Sequence, residues 1–573
     1  MGLMVSLPFV VPIHRLPIPS FYSEWLAIAI GCLGLIATTQ AKLSRRIWIP
    51  AIAIAPFALI AVILLQWALG MFTYGATVLT VMMILLWAGL LATAGQSLAQ
   101  VVGERRLTTV LAWFVLAGSI VNAMCGLFQY LGFWPAFGGM ISAPLDLTTF
   151  GIYGNLAQEN HFATHMSLGL VSATYLCFLR RLSLPWFVLI CMLCLIAMML
   201  SGSRSTFLYL LLISVLSIGL VSRRFERHDL KRLAVCAALA LATLALITCL
   251  IHIFSITSPQ LQRLLSFSSA IGPRMSLWQH AITMFLQQPL LGVGFDAFAY
   301  RLVGQLHPAT DPIVWGVDQY AHNLILQLLA VVGLVGLAAV IGPVVAMLRR
   351  MLNVPYSVER LWSWGIIGTL LIHSMLEQPL YYTYFLGLAG LVMGFADTKA
   401  WAFSMVGKIR VAFIATCAAS LVFLLKTAHD FDRIDGHFYS MRYASPNRDQ
   451  QLNIEQKVIH DLKDFSIFSP LADLIAPQYV LPANASVQEK IAFNERVMRY
   501  APVAEVEFRH AALLAEAQRL ADAKRQFARA AFAYPHDAEH YLARFKNLAA
   551  TDSETYGPLA EYASEWMHSK THP

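Results

Sequence analysis

Charge is scarce in this sequence. Only 13% of its 573 residues are Asp, Glu, Lys or Arg and 58% are hydrophobic, which excludes a soluble protein of this size and makes a polytopic membrane protein the default. Metal and nucleotide signatures are missing too. The eight cysteines lie inside apolar runs without a Cys/His metal spacing, so they read as small core residues and indicate neither a disulfide framework nor a zinc site. No HExxH, P-loop or Rossmann fingerprint occurs. The net charge of +8 does not mark a nucleic-acid partner, because the basic residues fall in short clusters between apolar runs, a pattern that reports membrane orientation. The opening LMVSLPFVVP is apolar but short, ends in prolines and has no basic residues before it. It reads as a partial span or a remnant of one rather than a signal peptide.

Long apolar runs are what the sequence does have. Stretches near 25–40, 48–70, 76–93, 108–131, 161–179, 184–200, 205–221, 233–254, 323–348, 362–376, 380–396 and 411–426 are each long enough to cross a bilayer, about twelve spans in all. Alternate loops are rich in Lys and Arg (Arg105, Arg106, Arg180, Arg181, Arg223, Arg224, Arg349, Arg350) and are expected on the cytoplasmic side. The opposite loops hold only Arg204, Arg263, Arg274 and Arg301, each against the bias and each in need of a reason.

Two outer loops, 132–160 and 255–321, are too long to be simple connectors. The second contains RMSLWQHAITMFLQQ, in which Trp278, Ile282 and Phe285 recur at helical spacing. A helix on the membrane surface or over a cavity and a helix packed on the bundle both fit. A transmembrane domain over 1–427 is expected, then a soluble helical domain over 428–573. There the segment AEVEFRHAALLAEAQRLADAKRQFARAAFAYPHDAEHY has the look of one tetratricopeptide-like unit, fit for partner docking or for a plain helical cap.

Polar residues gather where outer loops meet spans. YGNLAQENHFATH brings Gln158, Asn160, His161 and His165 together, the two histidines at i, i+4; hydrogen bonding to a polar ligand is the favoured reading over a metal pair. SGSRSTF sets Arg204 at a helix start with free amides, a place for an anion or for a capped helix beside a snorkelling arginine. Arg274 offers a bidentate fork suited to phosphate. AHNLILQ puts His322 and Asn323 at the start of a long span, and an imidazole there can accept a proton near neutrality. HSMLEQPLYYTYF adds Glu377, an acid at the membrane boundary that wants a basic partner, and Tyr381. With few outer carboxylates and no DxD in the outer loops, arginine rather than magnesium is expected to neutralise a pyrophosphate.

In this order QENHFATH, SGSRSTF, PRMSLWQHAITMFLQQPLLGVGFDAF, AHNLILQ and HSMLEQPLYYTYF resemble the bacterial O-antigen ligase and polymerase superfamily. Within it the chain looks most like the PglL-type protein O-oligosaccharyltransferases, or pilin glycosylation ligases, and the opening LPFVVPIHRLPIPSFYSEWLA is similar to the start of that subgroup. The resemblance implies an all-α, GT-C-like polytopic bundle in the bacterial inner membrane, with its active site and tail facing the periplasm. It implies transfer of an oligosaccharide from an undecaprenyl-diphosphate carrier to Ser or Thr of pilin or another exported protein, without metal or cofactor. In these terms His322, Glu377 and Tyr381 are the expected catalytic residues and Arg204 and Arg274 the diphosphate ligands, with Gln158, Asn160, His161 and Asn323 lining the cavity. O-antigen ligation and Wzy-type polymerisation use the same donor and stay open as alternatives. A lipid-linked transporter is a more distant one, since no inverted repeats or broken-helix pairs are visible in the sequence.

Overall fold

The computed structural model describes residues 1–40, 46–144, 151–224, 271–306, 311, 317–355, 357–405, 407–439, 450, 453, 456, 458, 462, 466–475 and 484–571. The expected span 233–254 and the first part of the second long loop lie outside the described residues. The chain divides into two compact units, one of Met1–Ala58, Ile84–Ser269 and Ala339–Ala428, the other of Leu59–Met83, Ala270–Ala338 and His429–Pro573.

In the first unit the apolar runs close into helices, the one way a single segment satisfies its backbone without water. These are α1 (Phe21–Gln40), α2 (Ile54–Ala68), α3 (Gly75–Val102), α4 (Glu104–Tyr130), α5 (Glu159–Phe178), α6 (Leu184–Leu200) and α7 (Ser205–Arg224); α2 and α3 also supply residues to the second unit. Six of the described helices are long and apolar enough to cross a membrane, and Leu184–Leu200, Ser205–Ser217 and Thr383–Ala396 are shorter apolar helices. α5 is buried almost throughout and carries a polar stripe. Ser167 and Ser172 on it meet Thr369 and Trp362 of the later helix Val358–Ser374, at 3.1 and 3.0 Å. One small antiparallel pair, β1 (Arg46–Pro50) with β2 (Ala400–Ser404), runs in register Arg46↔Ser404.

The N-terminal stretch does not form a span. It makes two 3-10 turns, Leu3–Val5 and Leu7–Val10, that insert into the bundle and bury Met4, Val5 and Phe9. Phe9 stacks on His165 with ring centroids 4.5 Å apart, while Asn155 donates to the Val10 carbonyl at 3.0 Å. Pro8 in the second turn has no N–H to donate, which favours a short tight turn over a long helix.

The second unit holds α8 (Ile271–Gln287) and α9 (Phe298–Gln305), and receives the start of α10 (Leu324–Leu352). The stripe buried on α8 is Leu277, Ala281 and Met284, whereas Ile282 is exposed. α10 is broken at Gly333, where φ is 63° and ψ −163°. The break is satisfied locally: Val293 donates to the Ala330 carbonyl at 2.8 Å, and Leu334 to that of Pro289 at 2.8 Å. A fully buried Gln66 completes the pairing, its amide nitrogen reaching the carbonyls of Leu291 and Val331 and its oxygen accepting from Phe295.

Beyond α10 the first unit continues with α11 (Val358–Ser374) and α12 (Thr383–Ala396), and α13 (Lys408–Tyr439) runs well past the expected end of the last span. The tail then adds α14 (Ser469–Ile475), α15 (Val487–Tyr500), α16 (Ala504–Glu516), α17 (Leu520–Ala533), α18 (Pro535–Thr551) and α19 (Ser553–Thr571). Its core is aromatic, with Phe508, Phe527 and Phe545 buried and Phe508 stacked on Tyr541 at 4.4 Å. Ala511, Ala515, Ala523 and Ala530 let the helices approach closely. The tail shares its unit with Leu59–Met83 and Ala270–Ala338.

Candidate active site

The first unit gathers Gln158, Asn160, His161 and Glu377 around one buried acid. Gln158 caps α5, accepting from the His161 amide at 3.1 Å, and turns its own amide nitrogen to Glu377 Oε2 at 2.6 Å. Asn160 donates to Glu377 Oε1 and accepts from Ser203 Oγ at 2.5 Å, which ties the acid to the turn preceding α7, where Arg204 follows Ser203. Glu377 sits just beyond α11, with its amide bonded back to the His373 carbonyl at 2.8 Å, while His373 Nε2 lies 3.5 Å from Glu377 Oε2. Burial works to raise the Glu377 carboxyl. The close approach of His373, then His161 and the hydrogen bond from Gln158 outweigh it and hold the group below the ordinary carboxylate range.

The two histidines of α5 part company. His161 shares a hydrogen bond with the Tyr384 hydroxyl at 3.0 Å and meets the Tyr382 ring edge-on at 4.5 Å, whereas His165 faces Asn122 at 3.2 Å and stacks on Phe9. The i, i+4 spacing therefore does not make a metal pair. The donor set the fold does assemble is His161, His373 and Glu377, whose ligand atoms all lie within 4.8 Å of one another. Tyr381 lies in the 3-10 turn Pro379–Tyr381, and the tyrosines that touch His161 are its neighbours Tyr382 and Tyr384.

The second unit holds Arg274, His322 and Asn323. Arg274 is half-buried on the first turn of α8. His322 adopts a left-handed backbone, φ 51°, unusual for a residue with a side chain, and the chain before it is pinned. Ala321 gives its amide to Gln327 Oε1 at 2.8 Å, and its carbonyl accepts from Trp278 Nε1 at 3.1 Å. Asp318 Oδ1 lies 3.4 Å from His322 Nε2, a carboxylate beside a candidate base. Asn323 caps α10, accepting from the amides of Ile325 and Leu326 at 3.1 Å each. In the same unit, burial raises the Asp296 carboxyl to about 6.

Gln66 and Thr164 were absent from the sequence-derived site, as was His373 in any assigned role. A glutamine alone inside the run AVILLQWALG is a signal that finds the first, since a polar amide at that depth needs partners. Thr164 looks like any helix threonine until His373 is placed beside it.

Comparison with known proteins matches three segments of the chain. Residues 152–177 match a profile described as protein glycosylation ligase, 189–341 one described as O-antigen ligase, and 361–547 one described as virulence factor membrane-bound polymerase, C-terminal. A general O-oligosaccharyltransferase of Acinetobacter baylyi is 26% identical over 406 residues, covering 70% of this chain and 69% of the relative. A ComP-specific O-oligosaccharyltransferase of the same organism is 24% identical over 251 residues, 43% and 44% of the two chains. The fold is that of a polytopic, all-helical membrane protein, and the matched segments resemble the O-antigen ligase and polymerase superfamily. Within that superfamily the chain is most similar to the PglL-type protein O-oligosaccharyltransferases, through the protein glycosylation ligase segment and the 26% identical relative.

Proposed function

We propose that this protein is a membrane glycosyltransferase that moves a glycan en bloc from undecaprenyl diphosphate to Ser or Thr of pilin or another exported protein, at the periplasmic side of the bacterial inner membrane. The kinship supports protein O-glycosylation at the coarser level. One observation carries most weight for a protein acceptor: the segment matching the protein glycosylation ligases, 152–177, is the one that supplies Gln158, Asn160 and His161 to the buried Glu377 cluster.

The chemistry asks for two things, a base for the acceptor hydroxyl and positive charge for the departing diphosphate. His322 is proposed as the base: the acceptor oxygen attacks the anomeric carbon with inversion, its proton passes to the imidazole, and Asp318 favours the imidazolium that forms. Arg204 and Arg274 are proposed to stabilise the negative charge that grows on the diphosphate as the glycosidic bond breaks, so the scheme needs neither metal nor cofactor. Glu377, with Tyr381, is assigned to the polar lining that orders the donor sugar. Asn323 supports His322 by capping the helix that follows it.

A second reading has its own observation. The match of 361–547 to a membrane-bound polymerase fits Wzy-type polymerisation or O-antigen ligation from the same kind of donor. Intact-mass analysis of pilin and other exported proteins from cells with and without the gene, run beside a lipopolysaccharide gel, separates the two. A glycan mass on Ser or Thr that vanishes with the gene supports protein transfer; unchanged proteins with altered O-antigen banding support the polymerase or ligase reading. His322→Ala is expected to abolish transfer with donor binding retained, and Arg204→Ala or Arg274→Ala to weaken both. Transfer at the normal rate by well-expressed His322→Ala protein would remove the base assignment.

A further inference from the structure

Two imidazoles and a carboxylate from different parts of the first unit converge on one point. His161 comes from the first turn of α5, His373 from the last turn of α11 and Glu377 from just beyond it, and their ligand atoms all lie within 4.8 Å of one another. All three residues are buried. Each ring has a hydroxyl at its Nδ1, that of Tyr384 at 3.0 Å on His161 and that of Thr164 at 2.8 Å on His373. Nε2 is therefore the nitrogen each ring has left to offer. His373 Nε2 makes no hydrogen bond although its side chain is fully buried, and it lies 3.5 Å from Glu377 Oε2. A buried ring nitrogen without a partner is a cost that a ligand between it and the carboxylate removes. The spacing fits such a ligand: two atoms bound to tetrahedral zinc at about 2.0–2.1 Å stand about 3.3–3.4 Å apart. The outer ring of contacts fits as well. Gln158 and Asn160 donate to the two oxygens of Glu377 and orient it, and each hydroxyl is placed to accept the Nδ1–H that a ring ligated through Nε2 carries.

We propose that His161, His373 and Glu377 form a zinc site, with water in the fourth tetrahedral position. Two imidazoles and one carboxylate suit this ion, whereas magnesium and calcium take shells of oxygen and copper(I) favours sulfur. The transfer chemistry proposed above runs on His322 and the arginines, so the ion's task is to hold the fold. It joins the start of α5 to the end of α11. Through Asn160, which donates to Glu377 and accepts from Ser203, it also steadies the turn in which Arg204 follows Ser203. Glu377 keeps its place in the polar lining as a bound ligand. With three protein ligands the site gives up its ion to a chelator more readily than a closed, four-ligand site does.

The test is elemental analysis of full-length wild type, His161→Gln, His373→Gln and Glu377→Gln, purified through a tag without histidines and held in lipid nanodiscs. Wild type is expected to carry about one equivalent of zinc and each variant less than about a tenth of that. EDTA should lower the melting temperature of wild type and added zinc should restore it, while neither should move that of His373→Gln. Wild type that holds no zinc and takes up none when it is added overturns the proposal. So does zinc retained in full by His373→Gln, which places the ion elsewhere, and so does zinc whose removal leaves the melting temperature unchanged, which marks an adventitious ion only. If the variants do not accumulate, cobalt(II) added to chelated wild type replaces them. Intense visible bands of tetrahedral cobalt, abolished by competing zinc, are expected, and the spectrum of aqueous cobalt alone counts against the site. None of these readouts depends on transfer. Failure of wild type to transfer any diphosphate-linked sugar would remove the functional reading and leave the metal result standing.

Discussion

At the scale of single residues, burial and partners decide what each polar group does. His510 in α16 is buried, and burial, then the charges of Arg529 and Arg519, lower it to about 4. An unfolded histidine takes its proton near pH 6.5, so the stability this group contributes is complete above about 6.5 and is lost as pH falls toward 4. Melting of the full-length protein should therefore drop over that window, and His510→Gln should flatten the drop; an identical acid limb in the variant would refute this assignment. Asp296 works in the opposite sense. Raised to about 6 by burial, it favours the fold fully below about pH 3.9, the unfolded value, and that contribution is lost as pH rises through 6. Asp296→Asn should therefore raise the melting temperature at neutral pH, provided the packing against it is kept. Gln158, Asn160, His161 and Glu377 were legible in the sequence as polar residues at a membrane boundary. That Glu377 is their common partner was not, because it lies more than two hundred residues along the chain from Gln158.

At the scale of elements, the break in α10 is the sharpest feature. A Cβ at Gly333 would stand 2.4 Å from the Leu290 carbonyl carbon, with φ in the left-handed region, so Gly333→Ala is strained by both backbone angle and contact. Gln66→Leu removes three bonds, those to the Leu291 and Val331 carbonyls and that from the Phe295 amide, and leaves the Val331 carbonyl with Gly294 as donor. Each lost buried partner costs about 1–3 kcal/mol, and a sharp fall in folded yield is expected, measurable by size exclusion in detergent. Normal yield of Gln66→Leu would mean that water reaches those groups. The hydropathy pattern marked a helix over 323–348 because residues on both sides of Gly333 are apolar. A glycine in an apolar run gives no sign of a break until the segment 289–294 is found pairing with it.

At the scale of the molecule, the tail is part of a larger unit. Tyr74 donates to Asp473 at 2.8 Å, Arg496 binds the same carboxylate at 2.8 Å, and Tyr300 packs against Phe493, Val497, Met498 and Val506. A chain ended after Tyr439, where α13 stops, removes every one of those tail partners. Such a truncation is expected to abolish transfer and not only to change acceptor choice, as the mass of the acceptor would report; full transfer with altered choice would identify the tail as a recognition module alone. Arg496→Ala, which leaves Asp473 with Tyr74 among the described residues, should lower the melting temperature by a few degrees.

The sequence by itself determined the class: long apolar runs with few charges can only be helices in lipid, and polar clusters at their ends single out candidate residues. It also determined the helical character of the tail, through the spacing of its apolar residues. Tertiary structure alone decided the partners. Hydropathy and periodicity describe a segment's environment one stretch at a time, whereas the His373–Glu377 pair, the Gln66 staple and the insertion of Phe9 against His165 depend on which distant segments meet. Those meetings are set by packing and by the need of each buried polar group for a partner, and neither is written in local order.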